Sequence, residues 1–298
     1  MLTEARIPVG YVFRKIRRDF VYVVLLAAAV ELLVFYNRSY LPDLPLPLVA
    51  FLGTAISLLL SFKLNQSYDR WWEARKVWGA IVNDSRNLVR QLLSFASDGA
   101  PTADVDRMAR RQIAWCYCLG QSLRGLDWRV GAVEHLSEAD VRAVEDHANK
   151  PLALLQLHAQ DLVRMTAAGA LSDYRRVAID ETLRRLTDEM GMAERIRSTV
   201  FPRTYRIFLR AFIYLFLASL SVALAEIEGL SQVVITVTVS VPFFLLEKTA
   251  FHMQDPFANR PTDTPMTSIA RTIEINIRQL LGDGEVPAPL AAEGFYLM

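Results

Sequence analysis

Four long apolar stretches, separated by one long amphipathic segment, limit what this chain can fold into. The first runs from Phe20 to about Tyr36, the second from Leu46 to Phe62, the third from Ile207 to about Ala225 and the fourth from Leu230 to about Leu246. Each is near the lower end of the roughly 17 to 25 residues a helix needs to cross about 30 Å of hydrocarbon. The fourth (VVITVTVSVPFFLL) is rich in β-branched residues and in water would read as a buried strand. Its unbroken length, beyond that of an ordinary strand, and its position close behind another span predict a helix. No small-residue cleavage site follows the first stretch, so it is expected to remain in the mature chain rather than serve as a signal peptide.

Composition fits a chain of two characters. Its 298 residues are 52% hydrophobic and 22% charged, with a mean hydropathy of +0.21. That is high for a wholly water-soluble protein and low for one made mostly of membrane helices. With 33 basic against 32 acidic residues, no charge excess draws the chain to nucleic acid.

Flanking charge predicts orientation. Arg14, Lys15, Arg17 and Arg18 precede the first span, and Lys63, Arg70, Arg75 and Lys76 follow the second. Arg203, Arg206 and Arg210 mark the start of the third, and Lys248 and Arg260 follow the fourth. The short connections hold Arg38 and Asp43 in one case, Glu226 and Glu228 in the other. The positive-inside bias then places both termini and the long middle segment in the cytoplasm. The expected organisation is residues 1–62, a cytosolic start with the first two spans; 63–202, a cytosolic helical domain; 203–248, the last two spans; and 249–298, a cytosolic tail.

The middle segment reads as helices with apolar residues three and four apart, as in MARRQIAWCYCLGQSLRGL and VAIDETLRRLTDEM, with Arg and Asp between. Turn compositions fall at 97–104 and 167–173, and Ser137 before two acids reads as a helix N-cap. The catalytic inventory is thin. Four histidines, His135, His147, His158 and His252, are scattered. No P-loop, G-x-S-x-G elbow or H-E-x-x-H is present. Cys116 and Cys118 are too close together to staple a domain and read as buried packing. An enzyme, a bound metal and a cofactor are all unexpected.

The second span carries more information. On a helical wheel Thr54, Ser57, Leu58, Ser61, Phe62 and Asn65 gather on one side, small or polar and punctuated by Leu58 and Phe62. Two readings stand: a close helix–helix interface, which small and hydroxyl residues permit, or a pore wall with hydrophobic constrictions. Next comes SYDRWWEARKVWG, Ser67 to Gly79, with Trp71, Trp72 and Trp78 among acids and cations. That density exceeds an ordinary aromatic belt with basic anchors.

This stretch, with Asp69, Arg70, Trp71, Trp72 and Glu73, resembles the signature of the bestrophin family, particularly its bacterial branch. Glu194-Arg195-Ile196-Arg197-Ser198-Thr199 with Pro202 and Tyr205 looks like the family's segment entering the third span. Asp255-Pro256-Phe257, with Pro261 and a helix from Ile269 to Leu281, looks like its segment after the fourth.

The resemblance implies an all-α membrane protein with four transmembrane helices plus a cytosolic helical bundle per subunit. It implies a homopentameric ion channel in the bacterial inner membrane, its one axial pore passing monovalent ions across the lipid bilayer. Carried over by distance from the Arg-Trp-Trp motif, the family's hydrophobic neck falls on Thr54, Leu58 and Phe62, all in the sector above. Thr54 departs from the family's bulky apolar pattern and would widen the outermost ring. The narrow cytosolic aperture falls on Val177 or Ile179. The bacterial branch implies cations rather than the chloride passed by eukaryotic members, and Asp69, Glu73 and Lys63 near the inner mouth could bias either sign. The eukaryotic calcium clasp has Asp255 alone in its place, too few oxygens for tight calcium. The competing reading is a membrane-anchored helical scaffold or signalling protein without conduction, the second span's polar face then being packing alone.

Overall fold

All four apolar stretches are helical in the computed structural model, which describes residues 8–37, 44–96, 102–199, 202–225, 227, 230–292 and 294–297. Every regular element among the described residues is a helix: α1 (Val9–Asn37), α2 (Leu46–Phe95), α3 (Thr102–Arg124), α4 (Glu138–Glu145), α5 (Lys150–Ala167), α6 (Asp173–Ser198), α7 (Arg203–Ala223), α8 (Leu230–Met253) and α9 (Met266–Leu281). The β-branched fourth stretch lies within α8, with Pro242 inside it. Four of these helices, α1, α2, α7 and α8, are long and apolar enough to cross a membrane. Arg38, Asp43, Glu226 and Glu228 of the short connections lie outside the described residues, as do 97–101 of the first expected turn.

Packing divides the chain into two compact units. The membrane unit draws on Ala5–Trp71 and Val200–Asp255, the bundle unit on Trp72–Thr199 and Pro256–Met298. Hydropathy changes at 62, 202 and 248, whereas packing divides several residues later in α2 and after α8. The reason is local: α2 stays helical beyond Phe62 while its composition turns polar, so its apolar run is shorter than the helix that carries it.

In the membrane unit α1, α7 and α8 pack on one another, and Ile56 and Leu60 of α2 join Ile213, Leu217 and Phe244 in the core. Lipid is as apolar as such a core, so close fit and internal hydrogen bonds carry the association. Gly53 supplies fit: a Cβ there would stand 2.9 Å from Cε2 of Phe216. Gln232 supplies hydrogen bonds, donating to the Ser221 carbonyl at 2.8 Å and to its hydroxyl at 3.0 Å.

In the bundle unit α3 is the centre. Residues Arg111 to Gln121 are buried on all sides, where the sequence pattern predicts one water-facing side. Arg111 is the reason. Its guanidinium meets Asp140 at 2.9 Å and Asp161 at 2.6 Å, so the charge is carried inside as an ion triad. Trp115 donates its indole N–H to the Pro151 carbonyl at 3.1 Å, and Tyr117 its hydroxyl to Glu274 at 2.8 Å. Ser137 caps α4, accepting from the Asp140 N–H at 3.1 Å. Gly169, at φ 74°, makes the left-handed turn between α5 and α6. Cys116 and Cys118 are buried and unbridged, and burial pushes both thiols up to about 12, so they pack rather than react.

Candidate functional site

Between Thr54 and Asp69, α2 has two unlike sides. Ile56, Leu60, Lys63 and Ser67 are buried, tying the helix into the membrane unit. On the other side Thr54, Ser57, Leu58, Ser61, Phe62, Asn65 and Asp69 are all exposed, Leu58 at 58% and Phe62 at 57%. Steps of three and four residues keep these positions in one line along the helix. Thr54 donates its hydroxyl to the Ala50 carbonyl at 2.9 Å, and Ser57 to that of Gly53 at 2.9 Å. Both hydroxyls are thus satisfied within the helix, which lets them sit in apolar surroundings at little cost.

The Arg-Trp-Trp stretch is spread over several jobs. Arg70 donates from Nε to the Gln254 carbonyl at 2.9 Å. Lys63 donates to the side-chain oxygen of the same glutamine at 2.7 Å and stands 5.9 Å from the Tyr205 ring centroid. Trp71 lies beside Tyr68, ring centroids 6.1 Å apart. In the bundle unit Trp72 is exposed and Trp78 buried, while Glu73 pairs with Arg195 at 2.7 Å. Asp69 remains exposed on the same line as Leu58 and Phe62. Sequence reasoning left the roles of Lys63, Asp69 and Glu73 open, and it missed Gln254, which no motif signals.

The aperture candidates part company. On α6, Val177 is 61% exposed, whereas Ile179 is 0% exposed in the bundle core. Two residues turn the helix by about 200°, and Ile179 falls on the side of Leu183 and Leu186. A residue lining an opening must project from its subunit, which Ile179 does not. Phe257 of the Asp-Pro-Phe segment is buried in the bundle unit. Among the described residues no group of three or more His, Cys, Asp or Glu side chains is placed to hold a metal ion.

Four helices long and apolar enough to cross a membrane, together with a helical bundle, define an all-helical membrane protein. The Bacterial/Fungal Bestrophin protein family matches residues 2–279. A voltage-dependent anion channel-forming protein of Ralstonia nicotianae is 30% identical over 248 residues, which is 83% of this chain and 81% of the relative. YneE of Escherichia coli, also named a voltage-dependent anion channel-forming protein, is 30% identical over 247 residues, 83% and 80% of the two chains. The crystal structure of a bacterial bestrophin homolog from Klebsiella pneumoniae superposes with a TM-score of 0.83 at 26% identity, over 91% of this chain and 100% of that one. This chain belongs to the bacterial/fungal bestrophin family, a family of ion channels and not of enzymes.

Proposed function

We propose that the chain assembles as a homopentamer around one axial path for monovalent ions, with the exposed side of α2 facing the axis. The observation that carries this reading is the line of exposed residues from Thr54 to Asp69, opposite the seam of Ile56, Leu60, Lys63 and Ser67 that ties the helix into the membrane unit. Cyclic symmetry would bring five copies of that line together. Leu58 and Phe62 then form a neck that resists wetting, with the larger part of Thr54's polarity already spent on its own helix. Val177 forms the inner aperture. The basic flanks of α1 and α7 favour the inner bacterial membrane with both termini in the cytoplasm.

Charge on the line sets the sign of the ion. Lys63 is buried and bound to Gln254, and Glu73 is paired with Arg195. Asp69 is exposed on the line, so five carboxylates inward of the neck would favour cations. A second reading has its own support, since the curated relatives are named anion channel-forming proteins. Reversal potential in liposomes under a sodium chloride gradient separates the two. The cation reading expects a cation-directed potential that moves toward zero in Asp69→Asn, and an anion-directed potential overturns it. Mass in detergent tests the assembly: five copies support the pore, and a monomer or dimer returns the chain to the scaffold reading.

A further inference from the structure

Away from α2, the membrane unit has a basic cleft of about 630 Å³ lined by residues of α1, α7 and α8, among them Arg18, Asp19, Tyr22, Arg206, Arg210 and Lys248. Its charges do not balance. Asp19 is 1% exposed and takes both an ion pair from Arg210 and one from Lys248 at 2.5 Å. It also accepts from the Tyr214 hydroxyl at 3.2 Å. Arg206 pairs with Glu247 at 2.9 Å. Two carboxylates therefore face three cations, and Arg18, exposed on the rim, adds a fourth that makes no ion pair among the described residues.

A purely structural network in a membrane helix set would be expected to neutralise itself, because uncompensated charge near hydrocarbon is costly. Here the excess is positive and opens outward. A neighbouring cleft of about 330 Å³, lined by Arg17, Arg18, Val21 and Tyr22, continues it around α1. Next to these guanidiniums the outer side of α1 is apolar, with Val21, Tyr22 and Leu25 exposed. Forked cation donors beside an apolar wall suit a phosphodiester with acyl chains attached.

We propose that this cleft binds the phosphate headgroup of an anionic phospholipid, its acyl chains lying along α1. Arg18 and Arg210 hold the phosphate, and Asp19 keeps Arg210 and Lys248 in place beneath it. Basic pockets between membrane helices recognise such headgroups by the same chemistry.

The experiment is a thermal melt of the purified full chain in detergent with added phosphatidylglycerol, phosphatidylcholine or inorganic phosphate. Phosphatidylglycerol is expected to raise the midpoint saturably, and the other two to leave it unchanged. Arg18→Gln removes no buried partner, so it should melt like the parent without lipid and need about fivefold more phosphatidylglycerol for half the shift. Arg14→Gln, outside the cleft lining, should respond as the parent does. An equal shift with phosphatidylcholine or with inorganic phosphate, or an unaltered lipid response in Arg18→Gln, overturns the proposal.

Discussion

Lys63 Nζ lies 2.7 Å from Gln254 Oε1, and the backbone carbonyl of the same glutamine receives Arg70 Nε at 2.9 Å. One residue at the end of α8 thus holds two cations of α2. Lys63 is 5% exposed, so its ammonium is withdrawn from the side of the helix that carries Leu58 and Phe62. If that side is the ion path, the ammonium does not stand in it. Lys63→Met is therefore expected to leave the reversal potential of reconstituted protein unchanged, in contrast to Asp69→Asn. A cation-directed shift in Lys63→Met would put the ammonium in the path and overturn this assignment.

Arg111 is among the largest fully buried side chains and carries its charge inside the bundle unit. It sits fully buried between Asp140 and Asp161. Removing it strands Asp140, whereas Asp161 keeps its ion pairs to Arg107 and Arg164, and breaking a buried ion pair from one side costs about 3–5 kcal/mol. Arg111→Met should lower the thermal midpoint sharply. Adding Asp140→Asn should recover part of the loss, because the stranded charge is then gone. Differential scanning of the three proteins checks both steps.

Glu189 makes stability depend on pH. Burial, and then the charge and hydrogen bond of Asp84 beside it, push its carboxyl up to about 8 from an ordinary 4.5. Arg185 cannot offset this fully because its guanidinium is bonded to Asp84 at 2.9 Å and 3.1 Å. The folded state then holds a proton that the unfolded chain releases above about 4.5. Stability from this group is complete below that value and is lost as pH rises toward 8, by at most about 1.4 kcal/mol per pH unit. Glu189→Gln mimics the protonated form and should flatten the dependence between pH 5 and 8. A slope that persists in the variant would assign it to another group.

The four membrane helices were legible because lipid selects uninterrupted apolar runs: α1 and α8 each enclose the stretch that composition marks, and α7 covers its stretch as far as Ala223. Helical periodicity likewise gathers Thr54, Leu58 and Phe62 on one side of α2. The length of α2 was less legible, since helix formation does not require the apolar composition that ends at Phe62. Arg111 misled for a related reason: a charged residue on an amphipathic pattern reads as solvent-facing, and its partners Asp140 and Asp161 lie on other helices. Val177 and Ile179 are two aliphatic residues on one charged helix, and packing, not composition, decides which of them is buried. Gln254 and the Asp19, Arg210 and Lys248 cluster join residues far apart in the chain, which no local pattern can show.

Leu58 and Phe62 offer a test in which conduction and folding separate. Each is more than half exposed in the subunit, at 58% and 57%, and surface substitutions of this kind usually change stability by less than about 0.5 kcal/mol. Truncating both should leave the fold and the thermal midpoint nearly as they were. In the proposed neck, however, two stacked apolar rings raise the barrier to ions by excluding water from a narrow passage. Leu58→Ala with Phe62→Ala widens both rings at once and is expected to raise macroscopic current several-fold in liposomes, with subunit number unchanged. Each single variant should give a smaller increase, because the remaining ring still resists wetting. Equal current in parent and double variant, at equal protein density, would remove Leu58 and Phe62 from the ion path and leave the exposed side of α2 as a packing surface.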